Sequence, residues 1–185
     1  MKKSVLVVLA DGFEEIEAIT PIDILRRSGA EVTVAGVGKR SITGSHGIKV
    51  EADTLLEDYK EIPDAVVLPG GLPGAENLRK SKALETLLKK MKESDKVIGA
   101  ICASPARVLS QHGLLHGKKA TCYPGFEKEF HSSVTMALEE RVVVDGKITT
   151  SKGPGTALEF ALELVSQLVS PEKSKELSRQ LIAQT

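Results

Sequence analysis

The chain has 185 residues, and its 25 Lys and Arg residues balance 25 Asp and Glu residues, so the formal net charge is zero. This balance excludes the strongly basic surface on which binding to nucleic acid or anionic membrane depends. Hydrophobic residues make up 41% of the chain and charged residues 27%, which argues against intrinsic disorder. A chain of this length buries its own core without a disulfide or a metal, and we expect one domain over residues 1–185.

Short β-branched runs alternate with amphipathic stretches along the whole chain, as in α/β proteins. Residues 41–53, which contain His46, are predicted to form a hairpin excursion. The two residues Asp145-Gly146 are typical of a hairpin turn. We predict strands at 5–9, 31–35, 64–68, 96–101, 119–122, 142–144 and 147–151, and helices at 14–28, 81–93, 104–111, from 156 and from 171.

Apolar runs without alternation, such as Val5 to Leu9 and Ala65 to Leu68, occur within the predicted strands, and only a strand buried on both faces tolerates them. The strands around Val5, Val32, Val66 and Val97 are therefore expected to be central and parallel, with helices on both faces of the sheet. Thr156 to Glu159 has the S/T-x-x-E form of a capping box. The helix that follows is expected to pack Leu158, Leu162 and Val165 on the sheet.

No stretch approaches the ~18 apolar residues of a membrane-spanning helix. The apolar run after Lys2 and Lys3 is short for an export signal. We therefore expect a cytoplasmic, reducing location, in which Cys102 and Cys122 are each a buried apolar residue or a reactive thiol. Neither cysteine has metal-ligand spacing, and the nucleotide-binding glycine motifs are missing, so we predict neither a metal nor a cofactor.

Sites in open parallel sheets form at the carboxyl ends of the strands, and Cys102 lies directly after one such strand. A cysteine on a tight strand-to-helix turn is exposed at the sheet edge, and the first amides of the helix favour its thiolate. The small residues Ala100, Ala103 and Ser104 suit the crowding of such a turn. Cys102 is therefore either a nucleophile or, as a lone cysteine more often is, a buried core thiol.

Glu17 and the Gly70-Gly71 pair are the next candidates. Glu17 is near the start of the first predicted helix, and Pro21 four residues later removes a helical hydrogen bond, as at many functional sites. The alternative is an ordinary solvated carboxylate. Gly70 and Gly71 offer unhindered backbone N–H groups for an oxyanion hole, or they form an ordinary loop. His46 is placed where it could reach a site or cap a dimer partner.

The same segments resemble the ThiJ/PfpI superfamily, and within it the DJ-one branch. The resemblance covers essentially the whole chain, and it rests on residues 11–17, the Pro69-Gly70-Gly71 turn, the elbow at 100–103, and residues 150–156. It implies a flavodoxin-like three-layer α/β/α sandwich with a mostly parallel sheet. Plant members of the family carry two such domains in tandem, whereas this sequence shows one.

The resemblance implies a role for each matching residue. Cys102 matches the reactive, oxidisable cysteine, and Glu17 matches the acidic residue that hydrogen-bonds it. Gly70, Gly71 and Ala103 match backbone donors around the site. Arg27 matches a helix arginine at the interface of a homodimer. The pocket is then expected to include Tyr123, Pro154 and His46.

Two departures from the family pattern affect the chemistry. Tyr123 stands where members often carry a histidine near the nucleophile, and Lys152 stands where an arginine is found, which weakens bidentate anion contacts. Ala103 follows Cys102 where the protease-like branch carries histidine, so an amidase or peptidase is disfavoured.

The leading hypothesis is a cofactor-independent cysteine enzyme, a glyoxalase or protein deglycase. Its substrates would be methylglyoxal, glyoxal or their early adducts on amines and thiols, with Cys102 as nucleophile and Glu17 as proton shuttle. The alternative is a non-catalytic oxidative-stress sensor or chaperone regulated by oxidation of Cys102. An amidase-like or peptidase-like hydrolase is a further alternative. Partners expected from the resemblance are these small molecules and a second copy of the chain.

Overall fold

A computed structural model describes residues 2–183 and shows three layers, a central sheet with helices on each face. The strands are β1 Ser4–Leu9, β2 Glu31–Gly36, β3 Ser41–Thr43, β4 Lys49–Glu51, β5 Thr54–Leu55, β6 Ala65–Leu68, β7 Val97–Ile101, β8 Lys119–Ala120, β9 Thr135–Met136, β10 Val142–Asp145 and β11 Ile148–Ser151. The α-helices are α1 Glu15–Arg27, α2 Gly74–Lys80, α3 Lys82–Glu93, α4 Ala157–Leu168 and α5 Pro171–Gln180.

The main sheet has seven strands in the order β10-β11-β7-β6-β1-β2-β5. Every neighbouring pair is parallel except β10 and β11, which form an antiparallel hairpin at one edge. The prediction that β1, β2, β6 and β7 are central and parallel is confirmed. All carboxyl ends of the parallel strands therefore open at one edge of the sheet, where sites of this architecture form.

Both faces of β1 are buried, which explains why its residues from Val5 to Leu9 are all apolar. Val5, Val7 and Leu9 pack into a core shared with α1, α4 and α5, whereas Leu6 and Val8 pack into a second core with α2 and α3. None of these five side chains is more than 1% exposed. The flavodoxin-like three-layer sandwich expected from the sequence is confirmed.

Both predicted hairpins are present. Strands β3 and β4 pair antiparallel within residues 41–53. Strands β10 and β11 are joined at Asp145-Gly146, and Gly146 has a φ of 63°. Such a positive φ is readily adopted by glycine, which explains the turn.

Three local predictions were incomplete or wrong. Helix α2 was not predicted, and the segment expected to be a helix over 104–111 is a six-residue π-helix, Pro105–Ser110. The strand expected over 119–122 covers only Lys119–Ala120 and pairs with β9 outside the main sheet.

The capping box predicted at Thr156 is absent, because the Thr156 hydroxyl makes no cap bond to α4. It instead contacts Ser151 Oγ at 2.6 Å and donates to the Gly153 carbonyl at 2.9 Å. The hydroxyl thus stabilises the turn before the helix. At α5 the expected start is seen, since Ser170 Oγ accepts from Lys173 N and Pro171 is the first helical residue.

The buried side of α4 differs in detail from the prediction. Leu162 and Val165 are buried as expected, but Leu158 is only half-buried. The side chains that meet the sheet at Gly99 of β7 are Phe160 and Leu164. No helix within residues 2–183 is both long and apolar enough to cross a membrane.

Candidate active site

Cys102 lies at the sharp turn that follows β7, with a φ of 67°. A non-glycine residue in the left-handed region is strained, and such strain persists only where the surroundings fix it. The Cys102 N–H donates to the Ser151 carbonyl at 2.9 Å, and its carbonyl accepts from Tyr123 N at 2.9 Å. These two bonds fix the backbone on both sides of the strained residue.

Glu17 is the buried carboxyl of the site. It lies in the first turn of α1, its side chain is fully buried, and its Oε2 accepts a hydrogen bond of 2.8 Å from Gly70 N–H. Its Oε1 accepts no N–H or O–H within residues 2–183. A hydrogen bond between the carboxyl and the Cys102 thiol is among the influences on both groups. The structure therefore brings the two predicted residues together.

The helix continues through Pro21 to Arg27 without a break. Pro21 is buried inside α1 and cannot donate to the carbonyl four residues before it. The helix is nevertheless continuous, and its first turn, which carries Glu17, packs against the end of β6.

Gly70 is glycine because nothing larger fits between the nucleophile and the acid. A Cβ at this position would lie 2.6 Å from Cys102 Cβ and 2.8 Å from Glu17 Oε2. Gly70 was predicted as an oxyanion donor, but its N–H is already bonded to Glu17. Its role is to hold the acid.

Gly71 and Ala103 supply the backbone donors that face the sulfur. Hydrogen bonds from the N–H groups of both residues lower the pKa of the Cys102 thiol. Gly71 has a φ of 88°, and a Cβ there would lie 2.4 Å from Glu14 N. The turn after β6 thus presents its amide to the thiol only because residue 71 is glycine.

A pocket of about 290 Å³ opens over the thiol. Apolar and aromatic side chains form most of its wall, including Leu72, Tyr123 and Phe126. Tyr123 packs over Gly153, where a Cβ would lie 2.9 Å from the Tyr123 ring. The residues that line the pocket are Glu14, Glu17, Ser45, Gly71, Leu72, Cys102, Ala103, Tyr123, Phe126 and Pro154.

Glu15 anchors the β3–β4 turn beside this pocket. Its Oε1 accepts from His46 N–H at 2.8 Å, and its Oε2 lies 2.9 Å from His46 Nδ1. Burial would raise the pKa of Glu15, but hydrogen bonds from the His46 side chain and from backbone N–H groups lower it to about 2. In turn, hydrogen bonding to Glu15 raises the pKa of His46.

Atoms of Glu14, Glu15 and His46 that could bind a metal ion lie within 4.8 Å of one another. The spacing of these residues in the sequence did not suggest a metal site. The hydrogen bonds to Glu15 account for this arrangement. His46 itself does not line the pocket, contrary to the expected position, and its side chain is 69% exposed. Its neighbour Ser45 occupies the pocket wall instead.

Ionisation of Glu17 and ionisation of Cys102 oppose each other. Burial raises the pKa of Glu17 to about 7, although hydrogen bonds from Cys102 and Gly70 lower it. Burial also raises the pKa of the Cys102 thiol, and the ionised Glu17 carboxylate raises it further. Two adjacent negative charges in a buried site are costly, so the pair shares one proton and titrates as a unit.

This result modifies the expectation that the turn simply favours the thiolate. Burial and the Glu17 carboxylate both oppose ionisation of Cys102, and the Gly71 and Ala103 amides support it. When Glu17 is protonated its repulsion disappears and only burial opposes the amides. Ionisation of the Cys102 thiol is therefore easier when the Glu17 carboxyl is protonated than when it is a carboxylate.

Cys122 is the second thiol, and it has none of these partners. It is 1% exposed, does not line the pocket, and burial followed by Glu127 and Glu129 raises its pKa to about 12. It is a buried apolar residue in the second core.

Sequence reasoning missed Glu14, Ser45, Leu72 and Phe126 as pocket residues. Leu72 directly follows the Gly70-Gly71 pair, and Phe126 lies one short turn after Tyr123, so proximity along the chain was an available signal for both. Ser45 reaches the pocket only because the hairpin folds over α1, where Ser45 N–H donates to the Phe13 carbonyl at 2.8 Å. Arg27, expected at a dimer interface, is exposed and paired with Asp23.

The fold and the site together define a flavodoxin-like α/β protein with a strained cysteine, a buried acid and two backbone amides at one sheet edge. The sequence pattern of the DJ-1/PfpI family matches residues 3–167. The chain belongs to the DJ-1/PfpI family.

Named relatives agree with this assignment. Protein DJ-1 homolog A of Arabidopsis thaliana is 48% identical over 164 residues, which cover 88% of this chain and 42% of that protein. The chain thus spans less than half the length of this plant relative. The glutathione-independent glyoxalase DJR-1.2 of Caenorhabditis elegans is 37% identical, over 88% of this chain and 87% of that protein.

Among solved structures, oxidized DJ-1 of Toxoplasma gondii has a TM-score of 0.91 and 47% identity. The match covers 97% of this chain and 98% of that one. The likeness therefore extends over the whole three-layer fold as well as the segments around the site.

Proposed function

We propose that this protein is a cofactor-independent, cysteine-dependent enzyme that acts on methylglyoxal, glyoxal or their early adducts on protein amines and thiols. The observation that carries the proposal is the fully buried Glu17 carboxyl beside Cys102 at the base of an open pocket. The name of the nematode relative, a glutathione-independent glyoxalase, supports the same chemistry without an added thiol.

The first step is addition of the Cys102 sulfur to the aldehyde carbon. The carbon–sulfur bond forms, the carbonyl electron pair moves to oxygen, and the N–H groups of Gly71 and Ala103 lie near the developing charge. Protonated Glu17 then gives its proton to that oxygen, which leaves a neutral hemithioacetal and a carboxylate.

The second step is an internal proton transfer. The Glu17 carboxylate removes the proton from the carbon bonded to sulfur, which gives an enediolate, and returns it to the neighbouring carbon. The hydroxyl proton on the first carbon passes to the oxygen of the second, so that the hemithioacetal becomes a hydroxyacyl thioester. Water cleaves the thioester and releases the hydroxy acid. With an early amine adduct, a hemiaminal, the carbon–nitrogen bond breaks first and the hydroxyl proton passes to the departing amine, which regenerates the aldehyde for the same two steps.

Glutathione-free turnover of methylglyoxal tests this proposal. We expect wild-type protein to consume methylglyoxal and release lactate, Cys102→Ser to abolish turnover, and Cys122→Ser to retain it. Turnover that survives in Cys102→Ser, or none in folded wild-type protein, would refute the proposal.

A second candidate is an oxidative-stress sensor or redox-regulated chaperone. The Gly71 and Ala103 amides lie around the sulfur and suit a sulfinate anion, and a relative from Toxoplasma gondii has been solved in oxidized form. The Cys102 thiolate would attack one peroxide to give the sulfenate and water, and the sulfenate would attack a second peroxide to give the sulfinate and water. Peroxide titration followed by intact mass would show two added oxygens in wild type and none at low peroxide in Cys102→Ser.

We also propose a homodimer formed through α1 and the β3–β4 turn. Ile16 and Ile19 on α1 are 53% and 42% exposed, and Ile48 in the neighbouring turn is 56% exposed. A cluster of exposed aliphatic side chains is typical of an interface. Light scattering at micromolar concentration should give twice the monomer mass, and a monomer would refute this part of the proposal.

A further inference from the structure

The charges of the pocket are all of one sign. Its lining includes the carboxyl groups of Glu14 and Glu17, whereas no lysine, arginine or histidine side chain from residues 2–183 of the chain lines it. The remaining wall is apolar, aromatic or backbone. A negative wall around a small pocket repels anions and accepts neutral or cationic molecules.

Two basic side chains that contact residues of the pocket wall are paired with carboxylates. His46 Nδ1 lies 2.9 Å from Glu15 and 3.4 Å from Glu14 Oε2, at the outer rim. Arg107 stacks on Phe126, 5.3 Å from the ring centroid, and forms an ion pair with Glu129. Even with His46 protonated, the group of Glu14, Glu15 and His46 keeps one net negative charge.

Glu14 is the charged residue of the pocket wall that an entering substrate approaches. Glu17 is neutral when the Cys102 thiolate attacks, under the mechanism above, so it repels an entering anion little. Glu14 lies directly before α1, its side chain is 12% exposed, and its Oε2 accepts from Ser45 Oγ at 3.3 Å. The carboxylate thus lies at the pocket wall beside Ser45 and His46.

We propose that Glu14 makes the pocket selective against anionic carbonyl compounds, so that its substrates are uncharged or cationic aldehydes. The substrate class rests on the proposed function, whereas the charge selection itself acts on any molecule that approaches Cys102. A 2-oxoaldehyde carrying a carboxylate or phosphate is therefore a poor substrate. Methylglyoxal and aldehyde adducts of amines fit the pocket.

Alkylation of Cys102 tests the selection without requiring turnover. Iodoacetamide and iodoacetate have nearly the same size and react by the same displacement of iodide, but only iodoacetate is an anion. We divide the iodoacetamide rate constant at Cys102 by the iodoacetate rate constant, and then divide this ratio by the same ratio for free cysteine. The fraction of cysteine present as thiolate cancels in each ratio. We expect this normalised ratio to favour iodoacetamide by roughly three- to tenfold at low salt.

Glu14→Gln should bring the normalised ratio close to that of free cysteine, and Glu14→Asp should retain much of the selectivity. Glu93→Gln, which removes one carboxylate at the end of α3 far from the pocket, should leave the ratio at the wild-type value. Added salt should reduce the wild-type ratio. A wild-type ratio equal to that of free cysteine, or an unchanged ratio in Glu14→Gln, would overturn the proposal.

Phenylglyoxal and 4-carboxyphenylglyoxal extend the test to catalysis. We expect wild type to discriminate against the carboxylate in kcat/KM, and Glu14→Gln to lessen that discrimination. Failure of all turnover would refute the proposed function but leave the alkylation result intact. Normal turnover with no discrimination in either assay would refute the charge selection alone.

Discussion

The backbone N–H of Gly70 donates a hydrogen bond of 2.8 Å to Oε2 of Glu17, and this bond joins the end of β6 to the first turn of α1. Gly70 also lies against the nucleophile, since a Cβ there would be 2.6 Å from Cys102 Cβ. One glycine thus holds the acid and leaves room for the thiol beside it.

Gly70→Ala should therefore damage the site itself. The added methyl group must displace Cys102, Glu17 or the Ala103 amide, and overpacking of this kind costs about 1–3 kcal/mol. We expect slower alkylation of Cys102 and a lower free energy of unfolding. Gly155→Ala is the matched control, because a Cβ at Gly155 meets nothing within 4 Å. Equal alkylation rates in the two variants would contradict this account of Gly70.

The pKa of Glu17 predicts a pH dependence of stability. Burial raises this pKa from 4.5 to about 7, so between these values the folded chain holds a proton that the unfolded chain has released. Stability should fall as pH rises through this window, by about 3 kcal/mol in total, and then level off. Glu17→Gln cannot ionise, so it should lack this fall.

Urea unfolding of wild type and Glu17→Gln over a pH series measures the effect. The free energy of the variant relative to wild type should increase from mildly acidic to mildly alkaline pH. Glu93→Gln, which changes an exposed carboxylate, should show no such trend. A constant difference between Glu17→Gln and wild type would show that Glu17 ionises normally in the fold.

The two thiols should differ in reactivity. Cys102 lines the pocket and receives two backbone hydrogen bonds, whereas Cys122 is 1% exposed in the second core and out of reach of a reagent. We expect iodoacetamide to modify Cys102 far faster than Cys122 at mildly acidic pH, as mapped by peptide mass. Equal slow rates for both would remove Cys102 from the mechanism.

Variants of Glu17 separate its two effects on the thiol. Glu17→Gln retains a neutral donor, so the thiolate should persist while proton transfer to and from substrate is lost. Glu17→Leu removes the donor as well and should raise the pKa of Cys102. The pH profile of the alkylation rate measures both. The same profile for the two variants would show that the donor contributes nothing.

Glu15→Gln should loosen the β3–β4 turn. Because the pKa of Glu15 is lowered to about 2, its contribution to stability is present above pH 4.5 and is lost as pH falls through about 2. Losing the charged acceptor should cost about 1–3 kcal/mol near neutral pH. Faster hydrogen exchange at His46 N–H and Ile48 N–H would confirm it, with Asp23→Asn as the exposed control.

Much of the architecture is determined locally in the sequence. The uninterrupted apolar run of β1 requires burial on both faces, and this alone implies a parallel sheet between two layers of helices. Asp145-Gly146 determines its hairpin because the turn needs a positive φ. The position of Cys102 directly after an apolar strand likewise places it at the functional edge before any coordinates are known.

Tertiary structure alone decided which side chains surround that cysteine. Glu14, Glu15 and Glu17 are similar carboxylates in one short segment, but their positions differ. Glu14 lies in the pocket wall, Glu15 anchors the β3–β4 turn, and Glu17 is buried against Gly70. Their differences come from contacts with segments about 30 to 50 positions away along the chain, as the Glu15–His46 and Glu17–Gly70 bonds show. The pKa of a carboxyl depends on burial and on such partners, and local sequence specifies neither.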